Sequence, residues 1–389
     1  MKDKIDHSSR QHALLSASSA HRWLACPSSA VAVEMYPNEG TEFTREGTLA
    51  HEVAETAARL RLNPYGDSST AEEFFREGVP NGYTQEMVYH ADDYADYIQE
   101  QIVSHDATIL LEERVDFSPW VPHGFGTCDC LIIQNGVLTV IDYKYGQGVP
   151  VSAEDNPQMK LYALGALNDY GFAYAIHRVE MHIYQPRLNN ISSCSLMVED
   201  LLEWAEKTVK PIAEKAVKGE GGYKAGSWCK FCPHAGQCPT LTQTCTEYVE
   251  THDLRVAVPV LAPHEVAEVL EMEPLVTLWL KRVKTQALDS LMAGGEVPGW
   301  KVVEGKQGNR KWKDEQETAT ALLTAGYFME DITETKLLSP AAMDKLLGKK
   351  KATELLDGMV DRSPGAPTVV PASDKRPAYN RADDFETLD

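Results

Sequence analysis

The sequence predicts an α/β fold of the α+β type, in which a mixed sheet is flanked by helices. Two observations support this prediction. Segments rich in β-branched and apolar residues are typical of strands, and they occur at residues 108–115, 126–134, 137–144 and 178–185. Apolar side chains at helical spacing predict helices at residues 45–62, 84–104, 156–170 and 201–218. Because strands bracket the helix at 156–170, we expect a sheet sandwiched between helices.

Turn and boundary residues support the individual elements. Gln134-Asn135-Gly136, between two predicted strands, is typical of a tight hairpin. Pro157 lies near the first turn of its helix, a favoured position, and Pro186 follows the end of a strand. Further along, residues 264–292 again show helical intervals, with Pro274 as a predicted break or kink. Short helices are predicted at 314–325 and 340–357.

Length and composition indicate a globular chain of more than one domain. The 389 residues include 43% apolar residues, and no apolar run is long enough to span a bilayer. We predict a mobile N-terminus over 1–18, a main domain over 19–245, a helical and hairpin extension over 246–362 and a disordered tail over 363–389. The net charge of −21 disfavours a uniformly basic nucleic-acid surface, although a local basic channel is compatible with it.

Two predicted strands carry charged residues among apolar ones. Asp142 and Lys144 are two residues apart, so they face one side of a strand while Tyr143 faces the other. Hairpin pairing can bring Asp129 to the same side. Buried carboxylates and a lysine are costly unless they pair or bind a metal. The set suits metal-assisted phosphodiester hydrolysis, and the simpler interpretation is a hairpin with an Asp–Lys salt bridge at its rim.

Four short motifs in a fixed order carry a family resemblance. A Gly-x-x-x-His helix, a Gly-x-x-Asp strand, an Asp-x-Lys strand and a Gln-x-x-x-Tyr helix fall at Gly47–His51, Gly126–Asp129, Asp142–Lys144 and Gln158–Tyr162. In this order the chain resembles the RecB-like branch of the PD-(D/E)XK nuclease superfamily. The resemblance implies a restriction-endonuclease-like core. No single motif is specific, and the ordered set of four is what supports the hypothesis.

The resemblance also implies residue roles. His51, Asp129 and Asp142, with the backbone carbonyl of Tyr143, would hold Mg²⁺ or Mn²⁺. Lys144 would be the catalytic lysine. Gln158 and Tyr162 would position the DNA backbone or that lysine. Taken alone, His51 is typical of a partly exposed helix histidine and Tyr162 of a core residue. The neighbouring acids Glu112 and Glu113 are typical of charged residues on an edge strand. In the alternative interpretation, one of them contacts a metal ligand without binding the metal itself.

The cysteines indicate a second site. Three are closely spaced and a fourth lies far upstream: Cys229, Cys232, Cys238 and Cys26. This arrangement resembles the iron–sulfur site of bacterial RecB-like and CRISPR-adaptation nucleases, which implies a [4Fe–4S] cluster acting as a staple. Zn²⁺ is the alternative, either on the same four thiols or with Cys245 or His234 in place of Cys26. Unligated thiols are the third interpretation.

The remaining cysteines and the compartment complete this prediction. No signal-peptide pattern is present, so we expect a reducing cytoplasm and no disulfides. Cys128 and Cys130 flank Asp129 and are expected to point away from it into the core as small apolar residues. Cys194 has no evident partner in the sequence.

A basic, tryptophan-containing segment follows the main domain. Residues 298–313 alternate like a hairpin, and the side chains proposed to contact DNA are Lys301, Lys306, Arg310, Lys311, Trp312 and Lys313. Lysine and arginine bind phosphates, and tryptophan stacks on bases. An ordinary hairpin with inward tryptophans is the alternative.

The overall layout is similar to a phage and prophage nuclease family, whose members are suspected exonucleases of phage recombination. This resemblance implies a metal-dependent DNA exonuclease in the bacterial host cytoplasm, with DNA and a single-strand annealing or single-strand-binding protein as partners, no membrane, and a homo-oligomer as an option. The sequence lacks a Gly-Lys-Ser/Thr phosphate-binding loop, so any unwinding needs another protein. Two alternatives stay open: a catalytically silent DNA-end-binding or scaffold protein, and a zinc-stabilised binding module.

Overall fold

The structure is a computed structural model, and it describes residues 13–36, 42–62, 83–251, 262–303 and 315–324, with isolated positions between 328 and 359. The chain forms two compact units, Met1–Lys311 and Trp312–Asp389. The four-segment division at 18, 245 and 362 stays a prediction. Within the described residues, no helix combines the length and apolar character needed to cross a bilayer.

The helices of the first unit are mainly those that the periodicity predicts. They are α1 (Ala20–Ala25), α2 (Ser29–Ala32), α3 (Glu42–Leu62), α4 (Gln85–Gln101), α5 (Pro157–Tyr170), α6 (Val198–Trp204), α7 (Lys210–Ala216), α8 (Pro239–Thr251) and α9 (Pro263–Met292). Helix α10 (Glu315–Thr324) belongs to the second unit. Polar side chains cap the predicted starts: Thr84 accepts from the Met87 amide, and Asn156 accepts from the amides of Gln158 and Met159.

Five strands form one sheet in sequential order. They are β1 (Thr108–Asp116), β2 (Phe125–Gln134), β3 (Val137–Tyr143), β4 (Arg178–Gln185) and β5 (Asn190–Met197). All neighbours are antiparallel except β3 and β4, which are parallel. Helix α5 connects that parallel pair, as a crossover must. The hairpin turn is confirmed, because Gln134 pairs with Val137 and both Asn135 and Gly136 have positive φ.

The sheet is covered by helices on both faces, so the mixed α+β class is confirmed. One core cluster contains α5 residues such as Leu161 and Leu164 with Val140 and Met181 of the sheet. The other contains α3 and α4 residues such as Val53 and Ile98 with Ile141 of the sheet. Ile141 and Val140 are adjacent in β3, so the two clusters lie on opposite faces. Residues Leu15 and Ala17, from the segment predicted to be mobile, are buried in the first cluster.

The elements differ from the prediction in three places. Strand β5 was not predicted, because its sequence is polar and only alternate residues are partly covered. Helix α9 continues through Pro274 without the predicted break, and the alternative of a kink stays a prediction. The helix expected over 201–218 is present as α6 and α7, which are joined by a π-helical turn at Ala205–Val209 shortly before Pro211, a residue that cannot donate a backbone hydrogen bond.

Candidate metal and catalytic site

An ion pair between buried Asp142 and half-buried Lys144, at the end of β3, forms one half of the site. The Lys144 ammonium donates to Asp142 Oδ1 at 3.1 Å and lies 2.9 Å from Oδ2. Asp142 is 2% exposed, so its carboxylate meets the ammonium in a region shielded from water. The side chain of Tyr143 is fully buried in the cluster on the α3 and α4 face. The structure therefore places Asp142 and Lys144 together, as the alternation of strand side chains predicts.

Helix α5 contributes a second support for Asp142. Gln158 Nε2 donates to Asp142 Oδ1 and to the Tyr162 hydroxyl, each at 3.1 Å. The two α5 residues are four apart, so they share a helix face. Tyr162 is almost fully buried against β2, and a Cβ at Gly126 would lie 2.6 Å from its ring. Two of the four sequence motifs thus form one hydrogen-bonded unit, and a third, Gly126–Asp129, packs against it.

The other half of the site joins α3 to β2. His51 Nδ1 lies 3.3 Å from Asp129 Oδ1, and the Tyr143 amide donates to Asp129 Oδ2 at 2.6 Å. Because Tyr143 lies between Asp142 and Lys144 in the chain, this bond ties the two halves together. The His51 ring also contacts the Tyr143 ring edge to face, with centroids 5.5 Å apart. The fourth motif, Gly47–His51, therefore reaches the same pocket.

Glu112, and not Asp142, joins His51 and Asp129 in a close group of metal-ligand atoms. Single ligand atoms of His51, Glu112 and Asp129 all lie within 4.8 Å of one another. Sequence reasoning treated Glu112 mainly as an edge-strand charge. The missing information was the pairing of β1 with β2, which sets Glu112 across from Asp129 and which sequence spacing does not reveal. The grouping of His51, Asp129 and Asp142 around one ion stays a prediction.

The alternation of side chains reverses at Asp129. Cys128 belongs to the cluster on the α5 face, whereas Cys130 belongs to the cluster on the α3 and α4 face. The expectation that both are buried in the core is confirmed, whereas the expectation that they share one face opposite to Asp129 was wrong. A regular strand would place residues 128 and 130 on one face. The irregularity lets Asp129 and Cys130 both face the α3 side, where Asp129 reaches His51.

Burial and neighbouring charges shift the pKa values across the site. Burial acts to lower the pKa of His51, but Asp129 and, more weakly, Asp142 outweigh it and raise the pKa to about 9. Burial, reinforced by Asp129, raises the pKa of Glu112 to about 7. Burial also raises the pKa of Asp142, although Lys144 opposes it. For Lys144, burial acts to lower the pKa and the two aspartates outweigh it, so the pKa is raised.

The four predicted cluster cysteines come from two distant parts of the chain. Cys26, Cys229 and Cys232 are buried, and the Lys224 amide donates to Cys26 Sγ at 3.3 Å. Burial raises the pKa of the Cys229 thiol to about 11, and the thiols of Cys232, Cys238 and Cys26 add to the shift. In the described part of the chain, no three cysteine sulfurs lie within 4.8 Å of one another. The four-cysteine cofactor site stays a prediction.

The alternative zinc ligands have other surroundings. Cys245 is fully buried on α8, and His234 Nδ1 lies 3.0 Å from the Tyr36 hydroxyl. Of the six side chains proposed to contact DNA, one lies in the described part of the chain. Lys301 is exposed, and the other five proposed contacts, at 306 and 310–313, lie outside the described residues.

Comparison with known proteins gives a family and one structural neighbour. Residues 12–377 match the model of the family described as "Protein of unknown function (DUF2800)". The chain belongs to the DUF2800 family. A solved structure titled "Crystal structure of SSO0001" aligns with 48% of this chain and 94% of that chain, at 14% identity and a TM-score of 0.22. A likeness at that TM-score carries no argument about this fold.

Proposed function

We propose that this DUF2800 chain is a divalent-metal-dependent deoxyribonuclease with a PD-(D/E)XK core, acting as an exonuclease on DNA. One observation carries the proposal: the buried Asp142–Lys144 pair lies beside the His51–Asp129 pair, and the Tyr143 amide connects them. A buried carboxylate that pairs with a lysine, next to a second carboxylate and an imidazole, offers the oxygen and nitrogen ligands that suit a divalent cation.

The chain's own residues would divide the chemistry among them. His51, Asp129 and Asp142 would hold Mg²⁺ or Mn²⁺, which polarises the phosphate and acidifies water when bound. Lys144, whose ammonium pairs with Asp142, would act as a donor and positive charge toward the phosphorane. Gln158 fixes the Asp142 carboxylate, and Tyr162 fixes Gln158.

The reaction would be hydrolysis of a phosphodiester bond. Water oxygen forms a bond to phosphorus as the bond to the 3′ oxygen breaks, one proton of the water passes to that oxygen, and a 5′-phosphate and a 3′-hydroxyl result. DNA is the implied substrate. In phage recombination, a single-strand annealing or single-strand-binding protein would be the implied partner. The net charge of −21 makes salt-sensitive, locally guided DNA binding the expected mode.

The cysteines would provide a structural site. We infer that Cys26, Cys229, Cys232 and Cys238 hold a [4Fe–4S] cluster. The N–H donated by Lys224 to Cys26 Sγ is the kind of bond that stabilises sulfur with negative charge. The Arg22 guanidinium interacts with both Cys26 and Cys232, which would offset part of that charge. When bound, the cluster would connect the N-terminal helices to the segment before α8.

Cleavage assays on linear DNA test the proposal. End-labelled duplex and single-stranded DNA are incubated with Mg²⁺, Mn²⁺ or EDTA. We expect wild type to cleave only with metal, and both Asp142→Ala and Lys144→Ala to lose at least about 100-fold in rate. Lys210→Ala is the matched control, because that exposed lysine pairs with Glu206 away from the site. Wild-type rates in the Asp142 and Lys144 variants, or cleavage in EDTA, would refute the proposal.

A further inference from the structure

Glu112 lies on the edge strand β1 and directs its carboxylate at the candidate metal site. Its ligand oxygen is within 4.8 Å of the ligand atoms of His51 and Asp129. Within the described residues, the Glu112 carboxylate makes no hydrogen bond or ion pair. The nearby Arg59 guanidinium pairs with Glu55 at 2.7 Å. The carboxylate of Glu112 is therefore half-buried beside a second acid, with His51 and Arg59 as the positively charged groups near it.

The backbone of Glu112 explains how this carboxylate reaches the site. Glu112 has φ of +52°, a left-handed conformation that costs a non-glycine residue about 1–2 kcal/mol. Leu111 packs on the α3 and α4 face, whereas Val115 packs on the α5 face. Regular alternation would put residues 111 and 115 on the same face. The left-handed residue reverses the alternation, so Glu112 turns toward His51.

We propose that Glu112 is a ligand of the divalent cation together with His51 and Asp129, an inference that rests on the proposed function. Charge supports it. Glu112, Asp129 and Asp142 carry three negative charges, and Lys144 with a divalent cation carries three positive ones. With His51 neutral, the loaded site is therefore balanced only when Glu112 is included. An imidazole among the ligands favours Mn²⁺ over Mg²⁺, because Mg²⁺ prefers oxygen ligands and keeps several water molecules.

Glu113 provides a matched control on the neighbouring residue. Its carboxylate accepts a hydrogen bond from the Tyr170 hydroxyl at 2.6 Å. Tyr170 lies at the end of α5 and packs against the opposite cluster. Glu112→Gln and Glu113→Gln remove the same charge from the same strand, on opposite faces of the sheet. A general effect of charge or of edge-strand stability would appear in both variants.

Binding of Mn²⁺ to the full-length protein tests the inference without reference to cleavage. The free Mn²⁺ signal is followed by electron paramagnetic resonance as protein is titrated. We expect Glu112→Gln to weaken the Kd at least about tenfold and Glu113→Gln to leave it unchanged. In EDTA, Glu112→Gln should melt at or above the wild-type temperature, because a carboxylate beside Asp129 has been removed. The rise in Tm that Mn²⁺ causes should shrink in Glu112→Gln alone.

The outcomes separate this inference from the proposed function. Wild-type Mn²⁺ affinity in Glu112→Gln would overturn the role of Glu112 and leave the proposed function intact. Wild type that binds no Mn²⁺ would overturn both. If Glu112→Gln fails to fold, Glu112→Asn replaces it, since asparagine tolerates left-handed φ. Unchanged affinity in that variant overturns the inference, and a loss of at least tenfold, with Glu113→Gln unaffected, supports it.

Discussion

Gly126→Ala and Gly47→Ala should change stability in opposite directions, although both glycines begin sequence motifs of the site. A Cβ at Gly126 would lie 2.6 Å from Tyr162 Cε1 and 3.2 Å from Cδ1. The Tyr162 ring is buried, so it cannot swing into solvent to relieve the overlap. A Cβ at Gly47 would meet nothing within 4 Å, and Gly47 lies inside helix α3.

The expected magnitudes follow from these contacts. Overpacking of a buried ring costs about 1–3 kcal/mol. Replacing a helical glycine by alanine without a clash stabilises by roughly 0.4–1 kcal/mol, mainly through the unfolded chain. One kcal/mol shifts the Tm by about 2–4 °C in a unit of this size. We therefore expect a Tm several degrees lower for Gly126→Ala and slightly higher for Gly47→Ala.

In Gly126→Ala, the displacement of Tyr162 should also lower the rate of DNA cleavage. Tyr162 accepts a hydrogen bond from Gln158, which holds Asp142, so a shift of the ring loosens that carboxylate. Thermal unfolding followed by circular dichroism gives the Tm values, and DNA cleavage well below both Tm values gives the rates. Gly126→Ala should reduce the rate, and Gly47→Ala should not. Equal Tm values for Gly126→Ala and wild type would refute the packing of Tyr162 against β2.

Three further perturbations have expected outcomes. Lys144→Met leaves the buried Asp142 carboxylate without its cation. In EDTA, the free energy of unfolding measured with urea should fall by about 3–5 kcal/mol. Burial already raises the pKa of Asp142, and loss of Lys144 raises it further. The loss of stability should therefore shrink as the pH falls through that raised pKa, because the carboxylate becomes neutral. A loss of stability that does not depend on pH would contradict the pairing of Asp142 with Lys144. Cys26→Ser should abolish the iron content and the absorbance near 400 nm of anaerobically purified protein, whereas the control Cys194→Ser should retain both. Wild-type protein that contains zinc and no iron would contradict the iron–sulfur cluster. Because the pKa of His51 is raised to about 9, Mn²⁺ must displace a proton from the imidazole in order to bind it. Calorimetry should therefore show proton release on Mn²⁺ binding at pH 7, and the affinity for Mn²⁺ should rise with pH. Binding without proton release would contradict ligation by His51.

Local periodicity was sufficient to predict most of the fold. Strands β1 to β4 and helices α3, α4 and α5 depend on alternation, caps and a hairpin turn, all of which are local features of the sequence. Strand β5 has the weak pattern of a half-covered edge strand, and only its pairing with β4 reveals it. Helix α9 continues through Pro274 without the break that a proline predicts locally.

Side-chain placement in the site was predictable where regular alternation holds. Asp142 and Lys144 follow the period of two, and Gln158 and Tyr162 follow the helical period of four. Glu112 could not be placed in the same way, because its direction depends on its left-handed backbone and on the β1–β2 register, in which the flanking residues pair as Leu111 with Cys130 and Glu113 with Cys128. The order of motifs predicted which residues converge, and tertiary pairing determined which of them form a close group.

The location of bound Mn²⁺ in crystals tests the central claim most directly. Anomalous diffraction from crystals grown with Mn²⁺ and a short DNA duplex identifies the ion without assumptions about ligands. We predict a peak about 2.0–2.3 Å from His51 and from an Asp129 carboxylate oxygen, next to the Asp142–Lys144 pair. Crystals that contain Mn²⁺ elsewhere, with His51 and Asp129 still in their ion pair and no peak between them, would contradict the account.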